Sequence, residues 1–485
     1  MSSAVQAAPP YLTALRAQRL LGGAAFRVAP AAVAGLMAGG HLQSAGHGLL
    51  VFLSVLAASF ALDRERYPIH LMPLAGAMMR ALVPVLGVML ALAVFALAGS
   101  PETAGAMIAP VIGAWAVIAF AALCKVRFES SRPVRVAVIG SAGLARGLHE
   151  ELRNADIRAY RVVGWVSGDS PVAERQGRRG PARLGPLADI RELVEEHSID
   201  LLVHSSGTRA DSEGPEHSRL EVFEMVAASC LDLPVRLIEA SQLYEELLGH
   251  VPLGQSNSAW FQYLLHPRYR AGLPGSKRAF DVLVGGLMLA VFAPILAALA
   301  LAIRLTDGGP VFYRQRRVGE GGTEFEMIKL RSMRVGAEER GARWSEDDDD
   351  RVTAVGHLMR RTHLDELTQL INVIRGDMTI VGPRPERPEL IAELERSLAY
   401  YDRRLLVKPG IAGWAQARCG YGGSEEGTGW KLCHDLFYLK HRSVYFDLLI
   451  LIENVRVSLQ SGVQFNVRAP QEQFILGGAS ESRAT

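Results

Sequence analysis

An aspartate and a glutamate stand side by side, Asp365-Glu366, inside the run Arg360–Arg375. Leu364, Leu367, Ile371 and Ile374 recur there at helical spacing, which predicts one helix over 360–375 with a buried apolar stripe. Both acids fall off that stripe, on a face expected to be exposed, with Arg361 one turn before Asp365. Neighbouring carboxylates on a helix diverge by about 100° and do not share a proton. They can divide roles instead, one as nucleophile and the other as metal ligand or general base. An acidic pair on a helix surface is ordinary by itself, but the residues around it are less so. Gly376 closes the helix, and Pro383-Arg384-Pro385 forms a stiff turn that holds up a guanidinium, the group best shaped for bidentate phosphate contact. More cations lie upstream, Arg316 and Arg317 in PVFYRQRRVG and Lys329 and Arg331 in FEMIKLRSM, and KPGIAGWAQ begins downstream at Lys408.

These residues need something to position them. Ala279–Ile303 is apolar and long enough to cross a bilayer, yet Pro294 lies inside it, where it removes a backbone donor and kinks or breaks a helix. Basic residues flank both ends, Lys277 and Arg278 before it and Arg304, Arg314, Arg316 and Arg317 after it. A true span would place one of those clusters outside the cell, against the usual bias. The expectation is a re-entrant helix, 279–303, which enters one leaflet, turns at Pro294 and leaves on the same side.

Further toward the N-terminus, residues 24–126 are nearly free of charge within four candidate spans, 26–43, 47–62, 81–98 and 104–124. Lys and Arg alternate between their loops: Arg64, Arg66 and Arg80 lie between the second and third spans, and none occurs in 41–46 or 99–105. That alternation places both ends of a four-helix bundle in the cytoplasm. The composition changes at Val134. Strands are expected at 134–140, 162–166, 201–204 and 235–239, with helices after the first and at about 187–197 and 218–231; this is the alternation of a parallel α/β sheet. The Gly/Arg-rich stretch Arg175–Arg183 reads as a loop. The first turn, Gly140-Ser-Ala-Gly143, departs from GxGxxG, so nucleotide binding through Gly140 and Gly143 is a weak expectation.

Bulk properties narrow the field. Of 485 residues, 49% are hydrophobic, which is high for a soluble enzyme, and the net charge of +2 gives no reason to expect nucleic acid as a partner. Four cysteines without a CxxC pair argue against a disulfide framework or a zinc site. No removable signal peptide is read in the first twenty residues.

Taken in order, Lys277-Arg-Ala-Phe-Asp281, the apolar segment with Pro294, PVFYRQRRVG, KLRSM, LDEL, GDMTIVGPRPE and KPGIAGWAQ closely resemble the bacterial sugar transferase family, the monotopic phosphoglycosyl transferases. The resemblance runs from about Lys277 to Ser461. The preceding bundle and Rossmann-like module look like the large subclass that starts exopolysaccharide or O-antigen assembly. Two departures are His363, where the family more often has a small hydroxyl residue, and Ala293, where serine is frequent.

The resemblance implies a membrane protein of α and α/β class. It would comprise a transmembrane bundle (1–130), a Rossmann-like module (131–245), a linker (246–275), a mostly helical catalytic domain with its re-entrant helix (276–465) and a tail (466–485). It further implies transfer of hexose-1-phosphate from a UDP-sugar to polyprenyl (undecaprenyl) phosphate at the cytoplasmic face of the bacterial inner membrane, with Mg²⁺ as cofactor and a homodimer as the assembly. Asp365 would be the nucleophile, forming an aspartyl-phosphosugar intermediate, and Glu366 its partner at the metal. Lys329, Arg331, Arg384, Arg316 and Arg317 would contact the substrate. Two rivals are an NAD-dependent nucleotide-sugar dehydratase or epimerase built on the α/β module, and a non-catalytic scaffold. The imperfect glycine turn and absent Tyr-x-x-x-Lys oppose the first; the intact LDEL and GPRPE blocks oppose the second.

Overall fold

The computed structural model describes residues 133–155, 157–167, 180–204, 219–253, 274–337, 351–419 and 425–459, with shorter pieces between 31 and 117. The chain divides into two compact units, Met1–His204 with Glu213–Ile238, and Ser205–Ser212 with Glu239–Thr485.

In the first unit the order is β1 (Val134–Ile139), α1 (Ala142–Asn154), β2 (Tyr160–Ser167), β3 (Ala182–Pro186), α2 (Ile190–Glu196), β4 (Leu201–His204), α3 (Arg219–Ser229) and β5 (Arg236–Glu239). The strands form one sheet in the order β3-β2-β1-β4-β5. Pairing is parallel between β1 and β2, β1 and β4, and β2 and β3. The central strand is a run of small and branched apolar residues because both of its faces are covered. Ala137, Ile139, Val166 and Leu202 pack with Ile190, Leu193 and Val226 from the helices. Gly140 turns the chain from β1 into α1 at φ +135°, which a side chain resists. Ser141 then caps α1 by accepting from the Leu144 N–H. Gly140 thus has a structural task at the β1–α1 junction, and Gly143 lies in the first turn of α1.

The expected parallel α/β sheet is present, with one correction. Residues 182–186, partly inside the stretch read as a loop, form the edge strand β3. Five residues containing Gly185 and Pro186 carry no apolar alternation, and an edge position tolerates that composition because only one side must be paired. Most residues of the four expected spans lie outside the described residues. Within them, 31–38 and 51–55 are helical, and a side chain at Gly113 would collide with Met37 and Val33, so a small residue sits at that helix contact.

The second unit begins with α4 (Ala240–Leu248) and α5 (Pro274–Asp307). Next come the antiparallel pair β6 (Phe312–Val318) and β7 (Glu324–Leu330), α6 (Ala354–Thr362), a 3-10 segment Leu364–Gln369 and α7 (Leu370–Arg375). These are followed by β8 (Thr379–Val381), α8 (Pro388–Ser397), a 3-10 segment Tyr401–Leu406, β9 (Gly410–Ala412), α9 (Trp414–Cys419), α10 (Glu425–His441) and α11 (Val444–Leu459). Buried Trp414, Phe437 and Phe446 pack where α9, α10 and α11 meet. Trp414 Nε1 donates to the Gly249 carbonyl at 2.6 Å, which ties the end of α4 into this core.

Among the described residues α5 is the one helix long and apolar enough to cross a membrane, over Gly275–Thr306. Its helical backbone runs through Pro294. The first turns are tied to the unit: Arg278 donates to the Val373 and Ile374 carbonyls, each at 2.6 Å, and Asp281 accepts from the Thr379 hydroxyl at 2.7 Å and the Ile380 N–H at 3.1 Å. The last turns pack Leu296, Leu299 and Ile303 against Leu330 and Met359. Between those anchors Leu283, Leu287 and Val291 are largely exposed, an apolar surface that water does not favour.

Candidate functional site

The single helix expected over 360–375 is instead three pieces. α6 ends at Thr362, His363 takes the left-handed conformation at φ 56°, a 3-10 turn carries 364–369, and α7 follows. His363 acts as a helix-terminating C-cap, a role in which non-glycine residues appear mainly when short and polar or imidazole-bearing. The break redirects the chain, and the expected burial pattern is reversed. Asp365, Glu366, Thr368, Gln369 and Asn372 are buried, whereas Leu364, Leu367 and Ile371 are half-buried and Ile374 is exposed.

A polar face turns inward only where it finds partners, and β7 supplies them. The Asn372 side chain accepts from the Ile328 N–H at 3.0 Å and donates to the Glu326 carbonyl at 2.7 Å, standing in for a neighbouring strand. Thr368 Oγ1 donates to the Ile328 carbonyl at 3.1 Å. With β7 held in this way, Lys329 reaches Glu366 at 3.1 Å. From the other side the turn after β8 delivers Arg384, whose two terminal nitrogens donate to the two Glu366 oxygens at 2.6 and 3.3 Å.

The two carboxylates are therefore in different electrostatic states. Burial alone would raise the Glu366 pKa, but the Arg384 and Lys329 charges outweigh it and hold the group well below the usual carboxylate range. Asp365 moves the other way, pushed up first by burial and then by the charge of Glu366. Among the described residues no cation is ion-paired with Asp365. Lys329 is pulled below the usual lysine value by burial, with Glu366 opposing that shift. One acid is neutralised by two cations; its neighbour, held by a backbone N–H, has no ion-pair partner among the described residues.

The structure gathers Asp365, Glu366, Lys329 and Arg384 in one place, with Arg317 beside them and Arg316 and Arg331 elsewhere. Arg316 and Arg317 are adjacent on a strand, so they face opposite ways. Arg316 is exposed and lies 3.8 Å from Glu324, away from the carboxylates. Arg317 turns inward and donates to the Pro385 carbonyl at 3.0 Å, next to Arg384. Arg331 is buried with its guanidinium packed over Gly309, at the end of α5. Asn372 and Thr368, which bind the β7 backbone, carry no signal in the motif blocks. The available signal was polar residues at inward-facing positions, which a helix-period reading assigns to solvent.

Comparison with known proteins bears on the same region. The model of the family described as bacterial sugar transferase matches residues 274–461. A UDP-N-acetylgalactosamine-undecaprenyl-phosphate N-acetylgalactosaminephosphotransferase of Aeromonas hydrophila is 35% identical over 237 residues, 49% of this chain and 55% of that protein. A UDP-glucose:undecaprenyl-phosphate glucose-1-phosphate transferase of Escherichia coli (strain K12) is 32% identical over 326 residues, 66% of each chain. One of the same name from Caulobacter vibrioides is 38% identical over 191 residues, 39% of this chain and 72% of that protein. The chain thus spans between about half and two thirds of the length of the first two relatives.

Proposed function

Because this chain belongs to the bacterial sugar transferase family, we propose that it moves a sugar-1-phosphate from a UDP-sugar to undecaprenyl phosphate and releases UMP. The observation that carries this reading is the division between two adjacent buried acids, Glu366 neutralised by Lys329 and Arg384 and Asp365 left unpaired. An unpaired carboxylate is the better nucleophile of the two. In the first step an Asp365 oxygen attacks the sugar-bearing phosphorus and the bond to the UMP oxygen breaks. In the second, an oxygen of the polyprenyl phosphate attacks the same phosphorus and Asp365 leaves unchanged. Arg384, 35% exposed, and Lys329, both on Glu366, stand where diphosphate oxygens would be neutralised.

A divalent cation fits this donor set. Asp365 offers a carboxylate with no cation paired to it among the described residues, beside an ionised one, and Mg²⁺ needs only one or two carboxylates when substrate phosphates complete its shell. Asp365 and Glu366 would hold it, and it would supply charge neutralisation for the diphosphate. The relatives' names divide between glucose and N-acetylgalactosamine donors. The deciding assay is UMP release and lipid labelling from a panel of UDP-sugars with undecaprenyl phosphate; a chain that releases UMP from none of them refutes the reading.

The titration of Asp365 gives a second expectation. Its pKa is raised, and attack needs the ionised form, so turnover should fall as pH drops through a value above the ordinary aspartate ~3.9. A kcat profile flat down to about pH 4 would contradict this.

The reading also includes a catalytic unit seated on the cytoplasmic face by α5, entering and leaving one leaflet with a bend at Pro294. Support comes from the two anchored ends of α5: a straight helix of 34 residues is about 51 Å long, yet both ends bind one unit and the middle is exposed. Cysteines placed at Gly275 and Gly308 should both be labelled only by reagents that reach the cytoplasm. Labelling of one from outside intact cells would show a simple span.

A further inference from the structure

Pro383-Arg384-Pro385-Glu386 contains two residues without a backbone N–H, so its shape depends on which groups bond its carbonyls. All four carbonyls are taken. Gly410 N–H donates to Pro383 at 2.9 Å and Val318 N–H to Glu386 at 3.0 Å. Between them, Arg404 Nη2 donates to the Arg384 carbonyl at 2.8 Å and Arg317 Nη1 to the Pro385 carbonyl at 3.0 Å. The outer two bonds are backbone to backbone; the inner two depend on guanidiniums.

The Arg317 guanidinium and the two terminal nitrogens of Arg404 also bind other protein groups. Arg317 gives Nε and Nη2 to Gln315 Oε1, at 3.1 and 2.6 Å. Arg404 is buried, pairs with Asp435 at 2.9 Å and donates to the Tyr401 hydroxyl. Neither is joined to Asp365 by a hydrogen bond or ion pair among the described residues. We infer that Arg317 and Arg404 are positioning residues for Arg384: they lock the turn so that its guanidinium arrives at Glu366, and they do not themselves bind the donor. Locking matters because a displacement of about 1 Å in a catalytic array costs on the order of a hundredfold.

This inference rests on the proposed reaction, and a double-mutant cycle separates the two. Full-length protein in nanodiscs is assayed for UMP release with UDP-glucose and UDP-N-acetylgalactosamine, with undecaprenyl phosphate as acceptor. Arg317→Gln, Arg384→Ala and the double variant are compared. Arg317→Gln alone should lower kcat/KM by roughly ten- to a hundredfold. In the Arg384→Ala background it should cost less than about twofold, since misplacing an absent side chain loses nothing. Arg404→Lys should show the same background dependence.

A loss that persists in full in the Arg384→Ala background overturns the inference. If it comes with a higher KM, Arg317 touches the donor; if it comes with a lowered thermal midpoint, the role is general folding. If Arg384→Ala itself loses nothing, the reading of the site fails and the positioning role falls with it.

Discussion

Asp365→Asn is expected to reduce transfer from UDP-sugar to lipid by roughly a thousandfold or more, without lowering the thermal stability of the catalytic unit. The two halves of that result have one cause. Asp365 is buried beside an ionised Glu366, and both influences raise its pKa. For an acid raised on folding, the associated stability is present below the unfolded value, about 3.9, and is lost as pH rises through the folded value. At neutral pH the ionised carboxylate therefore opposes folding. Asparagine keeps the shape and removes the charge, so the midpoint should hold or rise while the nucleophile disappears. Mass spectrometry of the wild type incubated with donor and no acceptor should show a covalent sugar-phosphate adduct that the variant lacks. A variant retaining more than a few per cent of turnover would remove Asp365 from the nucleophile's role.

Much of this site was legible because its residues come in compact blocks. LDEL, the lysine of KLRSM and the arginine of GPRPE each named a candidate, and Asp365, Glu366, Lys329 and Arg384 do converge. The orientation of the blocks was harder to read. Leu364, Leu367, Ile371 and Ile374 have an honest helical period, and it assigned Asp365 and Glu366 to solvent. Burial of the acids depends on Lys329, Arg384 and the β7 backbone, all distant in sequence, and on a chain reversal at His363 that no periodicity records. Arg316 and Arg317 show the same limit on a smaller scale. Taken as a basic cluster they are equivalent; on β6 they are on opposite faces, and only Arg317 belongs near the site. The sheet of the first unit was easier, because runs such as Val134–Ile139 reveal a doubly covered strand by composition alone, whereas edge strand β3 has no such run.

Glu366→Gln should separate from Asp365→Asn by moving stability as well as activity. Glu366 is held low in pKa by Arg384 and Lys329. For a depressed acid the stability is present above the unfolded value, about 4.3, and is lost as pH falls through the folded value, so at neutral pH it is present in full. Glutamine removes it and leaves Lys329 without its counter-charge in a buried position. Breaking a buried pair from one side costs about 3 kcal/mol, reduced here on the Arg384 side because that guanidinium is 35% exposed. For a unit of this size the loss corresponds to a midpoint lower by roughly 5 to 10 °C. Activity should fall at least a hundredfold, because both cations that Glu366 fixes lose their anchor. Differential scanning of the two variants side by side reads the contrast directly: a midpoint unchanged in Glu366→Gln, or lowered equally in Asp365→Asn, would mean that the two acids are not divided as their partners imply. Lowering the pH then gives an independent check, since the wild type should lose its advantage over Glu366→Gln only in strong acid, well below the range in which an ordinary surface glutamate titrates.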